Sequence, residues 1–272
     1  MSLVIDEKNF NLSRSQKELL AWHYKLGHIG MSKIQKIMHP FKSLDHRNTT
    51  DKLRRQPIVI ETANQSTHTC DLPKCAACTL SNMERVSPST TSFRNFLNEH
   101  SLKTNDLQPG MKLSMDQYVV STKGRTISNS SNDRHKNNGG TIFVDHASGK
   151  IFNYHQISLR AGETIQSKRQ LEPCARRHGI TIKKFHGDNG VFKTYDFRAD
   201  CILMDQELSF SGVGAKHQNG VAERNIKTIS YLARANLIHS AISWPDQHDL
   251  ELWPFAFDYS VYISITSLEL MV

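Results

Sequence analysis

The sequence predicts an α/β domain with a mixed sheet, preceded by a small helical metal-binding domain. Three observations predict it. From residue 112 onward the hydrophobic spacing alternates between period two and period 3.6, in the order β, ββ, α, β, α, β, α. A separate helical repeat occupies residues 15–39 and is followed by a long polar stretch. Cys70, Cys75 and Cys78 cluster downstream of paired histidines, whereas Cys174 and Cys201 stand alone.

Taken in chain order, SQKELLAWHYKLGHIGMSKIQKIMH reads as two short helices broken at Gly27 and Gly30. Residues 42–69 are rich in Thr, Asn and Gln and read as a loop. The expected zinc-binding domain spans 15–85, a linker 86–110, and the α/β core 111–265. KLSMDQYVV (112–120) reads as a strand with Leu113, Met115 and Val119 in one phase. The segment 121–138 has Ile127 as its only large apolar residue, too little to order itself. Residues 139–158 read as a hairpin turning at HASGK. A helix over 162–178 contains Pro173, which is expected to kink or shorten it. TIKKFHGDNG reads as a strand ending in a Gly-rich turn, 191–203 as a helix, and LSFSGVG as a short strand. A long helix is expected over about 219–241, with Pro245 just beyond it.

Net charge is +8 with 14 histidines, and the isoelectric point is near 9.2, a balance that suits a polyanionic partner such as nucleic acid. No run of 18 apolar residues exists, so a spanning helix is not expected. MSLVIDEKNFNLSRSQ lacks the apolar stretch of a secretory signal, and the expected compartment is intracellular and reducing. Five cysteines is an odd number, which argues against a complete disulfide framework.

Asp116 sits inside an apolar strand, where burying an unpaired carboxylate is costly. Asp188 sits at a strand end between glycine-containing turns, and Glu223 in the first turns of the long helix. Three carboxylates from separate elements can converge on one face and hold Mg²⁺ or Mn²⁺. Two such ions about 3.5–4 Å apart activate an attacking oxygen and stabilise a leaving one, the chemistry of phosphodiester transfer. The plain alternative is three surface charges among 26 acidic residues. On the long helix, Ala222, Ile226, Ile229, Leu232, Ala233 and Leu237 form an apolar face, and Glu223, Lys227, Ser230 and Arg234 a polar stripe. A DNA-facing surface and an ordinary solvated face predict the same pattern.

His23, His28, Cys75 and Cys78 supply two nitrogen and two sulfur ligands, a set suited to structural zinc. On one continuous helix, histidines at i and i+5 diverge by about 140°. A helix ending at Gly27 can swing His28 back. Cys70 is a substitute ligand.

These strings resemble a known family. WHYKLGH followed by CAAC is similar to the zinc motif preceding the integrase core of copia-type LTR retrotransposons. LSMDQYV, GGTIFVDHASGKI, FHGDNGVF and KHQNGVAERNIKTI resemble that core in order, over about residues 22–262. The resemblance implies an RNase H-like fold: a mixed five-stranded sheet with flanking helices. It implies a DDE triad of Asp116, Asp188 and Glu223 holding two Mg²⁺ or Mn²⁺ ions, with structural Zn²⁺ on His23, His28, Cys75 and Cys78. It further implies 3′-end processing of element DNA by water, then strand transfer into target DNA by the freed 3′-hydroxyl. Lys216, His217, Gln218 and Asn219 match the loop that approaches DNA, and Arg224, Lys227 and Arg234 would contact phosphates. Asp145 belongs to the hairpin rather than the triad. The implied partners are DNA and further copies of the chain, with function in the nucleus after a cytoplasmic virus-like particle. Two departures stand out: Gly187 replaces the family's Ser or Thr before the second Asp, and Pro173 interrupts a helix the fold needs. The C-terminal integrase region, protease and reverse transcriptase are not in the sequence, so a polyprotein fragment or decayed copy is expected. Two other readings remain: a zinc-stabilised DNA-binding remnant without turnover, and a nuclease on the same scaffold.

Overall fold

The computed structural model describes residues 9, 11–40, 60–64, 66–82, 107–127, 135–212 and 219–269. Contacts divide the chain into two units: Met1–Asn82 with Ile229–Val272, and Met83–Thr228. The expected linker over 86–110 lies largely outside the described residues.

In the second unit, β3 (Leu113–Gly124), β4 (Asn137–Asp145) and β5 (Ile151–Gln156) form an antiparallel meander. Helix α4 (Ala161–Arg177) then leads to β6 (Lys184–Gly187), which lies parallel to β3. Helix α5 (Tyr195–Leu203) leads to β7 (Glu207–Phe210), parallel to β6. The five strands are ordered β5-β4-β3-β6-β7, the RNase H-like arrangement with helices flanking a mixed sheet. Leu113, Met115, Phe143 and Phe185 from the sheet pack with Leu171 and Ala175 of α4 and Phe197 and Cys201 of α5. Fully burying each phenylalanine contributes about 1.5–3 kcal/mol. Phe143 meets Phe185 edge-on at 5.9 Å between ring centroids.

Several elements depart from the sequence expectation. Strand β3 runs on to Gly124, which pairs with Asn137, so both ends of the polar 121–138 segment are ordered by the ladder rather than by apolar burial. Val119 is in phase with Leu113 and Met115 but is 75% exposed. Gln117 explains this: its amide donates to Leu159 O and Thr164 Oγ1 at the start of α4, so the strand outruns its covering helix two residues later. Helix α4 continues through Pro173 to Arg177. Leu171 and Ala175 anchor it on both sides of the proline, and Lys168 links to Glu172 one turn apart at 2.7 Å. The hairpin turn follows expectation. Asp145 caps it, accepting from Gly110 N at 2.9 Å, Ser148 N at 2.8 Å and Ser148 Oγ at 2.7 Å.

The first unit contains α1 (Arg14–Lys25), α2 (Met31–Ile37), β1 (Met38–Pro40), β2 (Ile60–Thr62) and α3 (Ala76–Ser81). Ser13 starts α1 by accepting from Gln16 N, while the Gln16 side chain accepts from Ser13 N, a complete capping box. Strand β2 pairs parallel with β1 inside the stretch expected to be loop, a correction that periodicity over three residues could not supply. The chain's last helices are α6 (Gly220–Ser243) and α7 (Trp253–Glu269). Residues 220–228 of α6 fall in the second unit and 229–243 in the first. Leu19, Leu20, Ile34, Met38 and Ala77 form the first unit's core together with Ile263 of α7, and Ile238 of α6 packs against it. No described helix is long and apolar enough to cross a membrane.

Candidate active site and metal centre

Asp116 is the fourth residue of the central strand, opposite Ile142 of β4. Strand β6 pairs with β3 only at Leu113↔Phe185 and Ser114↔His186. Asp188 lies just past the end of β6, two residues beyond the last pair, and Asp116 lies two residues beyond the same pair on β3. The third carboxylate arrives through Asn219. Its buried amide donates to Met115 O at 3.0 Å, tying the entrance of α6 to the residue before Asp116. Glu223 follows one helical turn later, exposed on the first turn of α6.

Electrostatics register the convergence. Burial raises the Asp116 pKa; the Gln117 N–H, donating at 2.8 Å, works against it; the negative charges of Asp188 and Glu223 add to the rise, which reaches about 6. The charges of Asp188 and Glu223 thus reach Asp116, a repulsion that a divalent cation would relieve, and carboxylate oxygens are the hard donors that Mg²⁺ and Mn²⁺ take. The three carboxylates do not close into a tight ligand set: Asp188 Oδ1 instead accepts from Gly190 N at 3.1 Å. Gly187 is buried between Met115 and Phe192, where an added Cβ would lie 3.0 Å from each side chain. The residue before Asp188 is small because Met115 fills the space.

Residues expected to meet DNA divide. Lys216, His217 and Gln218 lie outside the described residues. Arg224 and Lys227 are exposed on α6 beside Glu223. Asn219 is 1% exposed, its Oδ1 meets no hydrogen-bond partner among the described residues, and its amide donates to Met115 O. Arg234 donates to Ser81 O at 2.9 Å and lies over the Tyr231 ring, a structural attachment within the first unit that the helical stripe did not reveal. Of the expected apolar face of α6, Ala222, Ile229 and Ala233 are buried and Ile226, Leu232 and Leu237 half-buried, while Ala235, outside that face, is buried as well.

His23, His28, Cys75 and Cys78 converge, with one ligand atom from each lying within 4.8 Å of all the others. Helix α1 stops at Lys25, and Gly27 and His28 both adopt left-handed backbone, at φ 59° and 64°. That turn swings His28 back toward His23, removing the divergence a continuous helix would impose. The distances are Nε2 of His23 to Nδ1 of His28, 3.2 Å; Cys78 Sγ to those atoms, 3.2 and 3.5 Å; and Cys75 Sγ to His28 Nδ1, 3.5 Å. A tetrahedral zinc with ordinary bond lengths has N···N edges of about 3.3 Å and N···S edges of about 3.6 Å. The four residues fit that ion. A hydrogen bond from Cys78 holds the Cys75 thiol far below its usual pKa against burial, and the same bond with burial pushes Cys78 up. Cys70 lies outside the group and donates to Thr67 O at 3.4 Å.

One residue near this centre escaped the sequence. His239 of α6 sits 2.8 Å by Nδ1 from His28 Nε2, 211 positions away. No local spacing announces it.

No family model matches the sequence, and no curated protein does. Among solved structures, the chain is similar to the HTLV-2 integrase catalytic core domain in complex with magnesium. The dimeric form shares 18% identity at TM-score 0.40, covering 57% of this chain and 86% of that one. The trimeric form gives the same identity and TM-score with 85% of that chain covered. The simian T-cell lymphotropic virus intasome in complex with the PP2A regulatory subunit B56 gamma shares 17% identity at TM-score 0.40, over 55% of this chain and 47% of that one.

Proposed function

We propose that this chain is an integrase-like polynucleotidyl transferase of the copia type, acting on element and target DNA with Mg²⁺ or Mn²⁺ at Asp116, Asp188 and Glu223. One observation carries the reading: Asp116 is half-buried on the central strand, burial lifts its pKa to about 6, and the charges of Asp188, just past the neighbouring strand, and Glu223, in the first turn of α6, add to that rise. When bound, the cations would activate the attacking oxygen and neutralise charge on the leaving one. The chain's own residues arrange the rest. Asp116 on β3 and Asp188 just past β6 come from neighbouring strands, Asn219 ties the entrance of α6 to Met115, and Arg224 and Lys227 would present positive charge beside Glu223 for phosphate. In this reading His23, His28, Cys75 and Cys78 hold zinc as a fold-stabilising ion. The chain works as a multimer on DNA, in the nucleus.

The test is strand transfer. The protein is incubated with Mg²⁺ or Mn²⁺ and labelled DNA carrying the element's ends, beside Asp188→Asn. Joined products from the parent alone support the proposal; equal signal from both proteins, or none from either, removes it. A second reading, DNA binding without turnover, draws on the carboxylates' failure to close into a ligand-tight set. Retained DNA affinity without joined products would favour it.

A further inference from the structure

We infer that His239 is an outer-sphere positioning residue of the zinc centre, so that the centre is completed by the C-terminal helices rather than by the N-terminal segment alone. The inference rests on the zinc reading above and extends it to a residue outside the HHCC set.

Each candidate histidine ligand has two ring nitrogens, and the geometry assigns them. His23 points Nε2 into the ligand group and Nδ1 at Ile29 O, 2.7 Å away. A carbonyl only accepts, so Nδ1 carries the proton and Nε2 keeps its lone pair for the metal. His28 is mounted the other way, with Nδ1 facing His23, Cys75 and Cys78. Its Nε2 must then carry the proton, and the acceptor it meets is His239 Nδ1 at 2.8 Å. Metal-binding histidines regularly donate their second N–H to a fixed acceptor, which sets tautomer and ring angle. His23 uses backbone from its own segment. His28 uses a side chain from α6.

The surroundings hold His239 in that role. Tyr24 packs edge-on against the His239 ring at 4.4 Å and lies 5.5 Å from the His28 ring. The His28 and His239 rings themselves lie 4.9 Å apart at 77°. Helix α7 secures the same turn, since Tyr259 donates to Lys25 O at 2.9 Å and its ring covers Gly27. The left-handed turn that carries His28 is therefore held at Lys25 and Gly27 by a tyrosine from one C-terminal helix, and His28 itself meets a histidine from the other.

The experiment uses the full chain. Zinc affinity is measured by competition with a chromophoric chelator for the parent, His239→Ala and His239→Gln, with circular dichroism of each zinc-loaded protein as the folding control. Cobalt substitution reports the coordination sphere through its visible absorption. His239→Ala is expected to lower zinc affinity about 10–100-fold. His239→Gln, whose amide oxygen can accept from His28, recovers part of that loss. Long-range ¹H–¹⁵N couplings in the zinc-loaded parent, which need no variant, are expected to show His28 protonated at Nε2 and metal-bound at Nδ1. Affinity within twofold of the parent in His239→Ala, or His28 bound through Nε2, overturns the role of His239 and leaves the zinc reading standing. A parent that takes up neither zinc nor cobalt overturns both.

Discussion

Replacing Asp116 with Asn separates the electrostatics of the triad from its chemistry. In the fold, the Asp116 pKa stands at about 6 against an ordinary 3.8. The folded state thus holds this proton more tightly than the unfolded chain. The stabilisation from Asp116 is full below the unfolded pKa, near 4, and is lost as pH rises through about 6. Two units correspond to about 3 kcal/mol, and partial exposure to solvent reduces that to on the order of 1–2 kcal/mol. Asparagine cannot ionise. In magnesium-free buffer, Asp116→Asn should therefore be more stable than the parent by about 1–2 kcal/mol at pH 8 and nearly equal at pH 4. Hydrogen exchange of β3 and β4 amides across this pH range reads the second unit alone. Excess Mg²⁺ should close the gap by stabilising the parent. Equal stability at pH 8 without magnesium, or a gap that widens toward acid, would refute the reasoning.

Other perturbations follow from the packing. Lys168 is fully buried with Asp200 and Glu172 each at 2.7 Å, so Lys168→Ala removes the cation they share, leaving Asp200 with Arg169 and Glu172 with Gln206, and should cost on the order of 3 kcal/mol in urea unfolding. Pro173→Ala should restore the missing amide within α4 and raise stability by about 1–3 kcal/mol, read as a higher melting temperature. Gly27→Ala forces a Cβ to within 2.7 Å of the Tyr259 ring at a left-handed φ, and should weaken zinc binding and destabilise the first unit by more than about 1 kcal/mol, the strain of a left-handed alanine, read as a lower melting temperature. In the zinc reading, Cys75→Ser removes one of two thiolate ligands, and its signature is a fall of about half in the sulfur-to-cobalt charge-transfer band, the rest coming from Cys78.

The sheet was largely legible because its strands alternate cleanly and its carboxylates interrupt apolar runs. Asp116 stood out for that reason, and Asp188 because a strand stops at a glycine there. The HHCC set was legible from Gly27, whose freedom of backbone explained how the two histidines could meet. What escaped lay in long-range pairing. Strand β2 is three residues long and exists because β1 is beside it. Helix α7 shows no strong amphipathic pattern, and neither Tyr259 nor His239 carries any local mark of the turn it touches. Arg234 read as one more cation in a stripe until Ser81 O was found at the end of its guanidinium. Pro173 misled in the other direction, since a generic helix penalty said nothing of the anchors on either side.

The two left-handed residues at the end of α1 also bear on how such a centre is recognised elsewhere. Chelating histidines on a regular helix are sought three or four positions apart, where the turns stack. Here the spacing is five, and it works only because Gly27 and His28 reverse the winding for one step. The corresponding signature is His, three residues, then Gly-His, with a Cys-x-x-Cys at variable distance downstream. If the zinc reading holds, loss of that single glycine in a related chain would predict weakened metal binding, even where all four candidate ligands remained in the sequence.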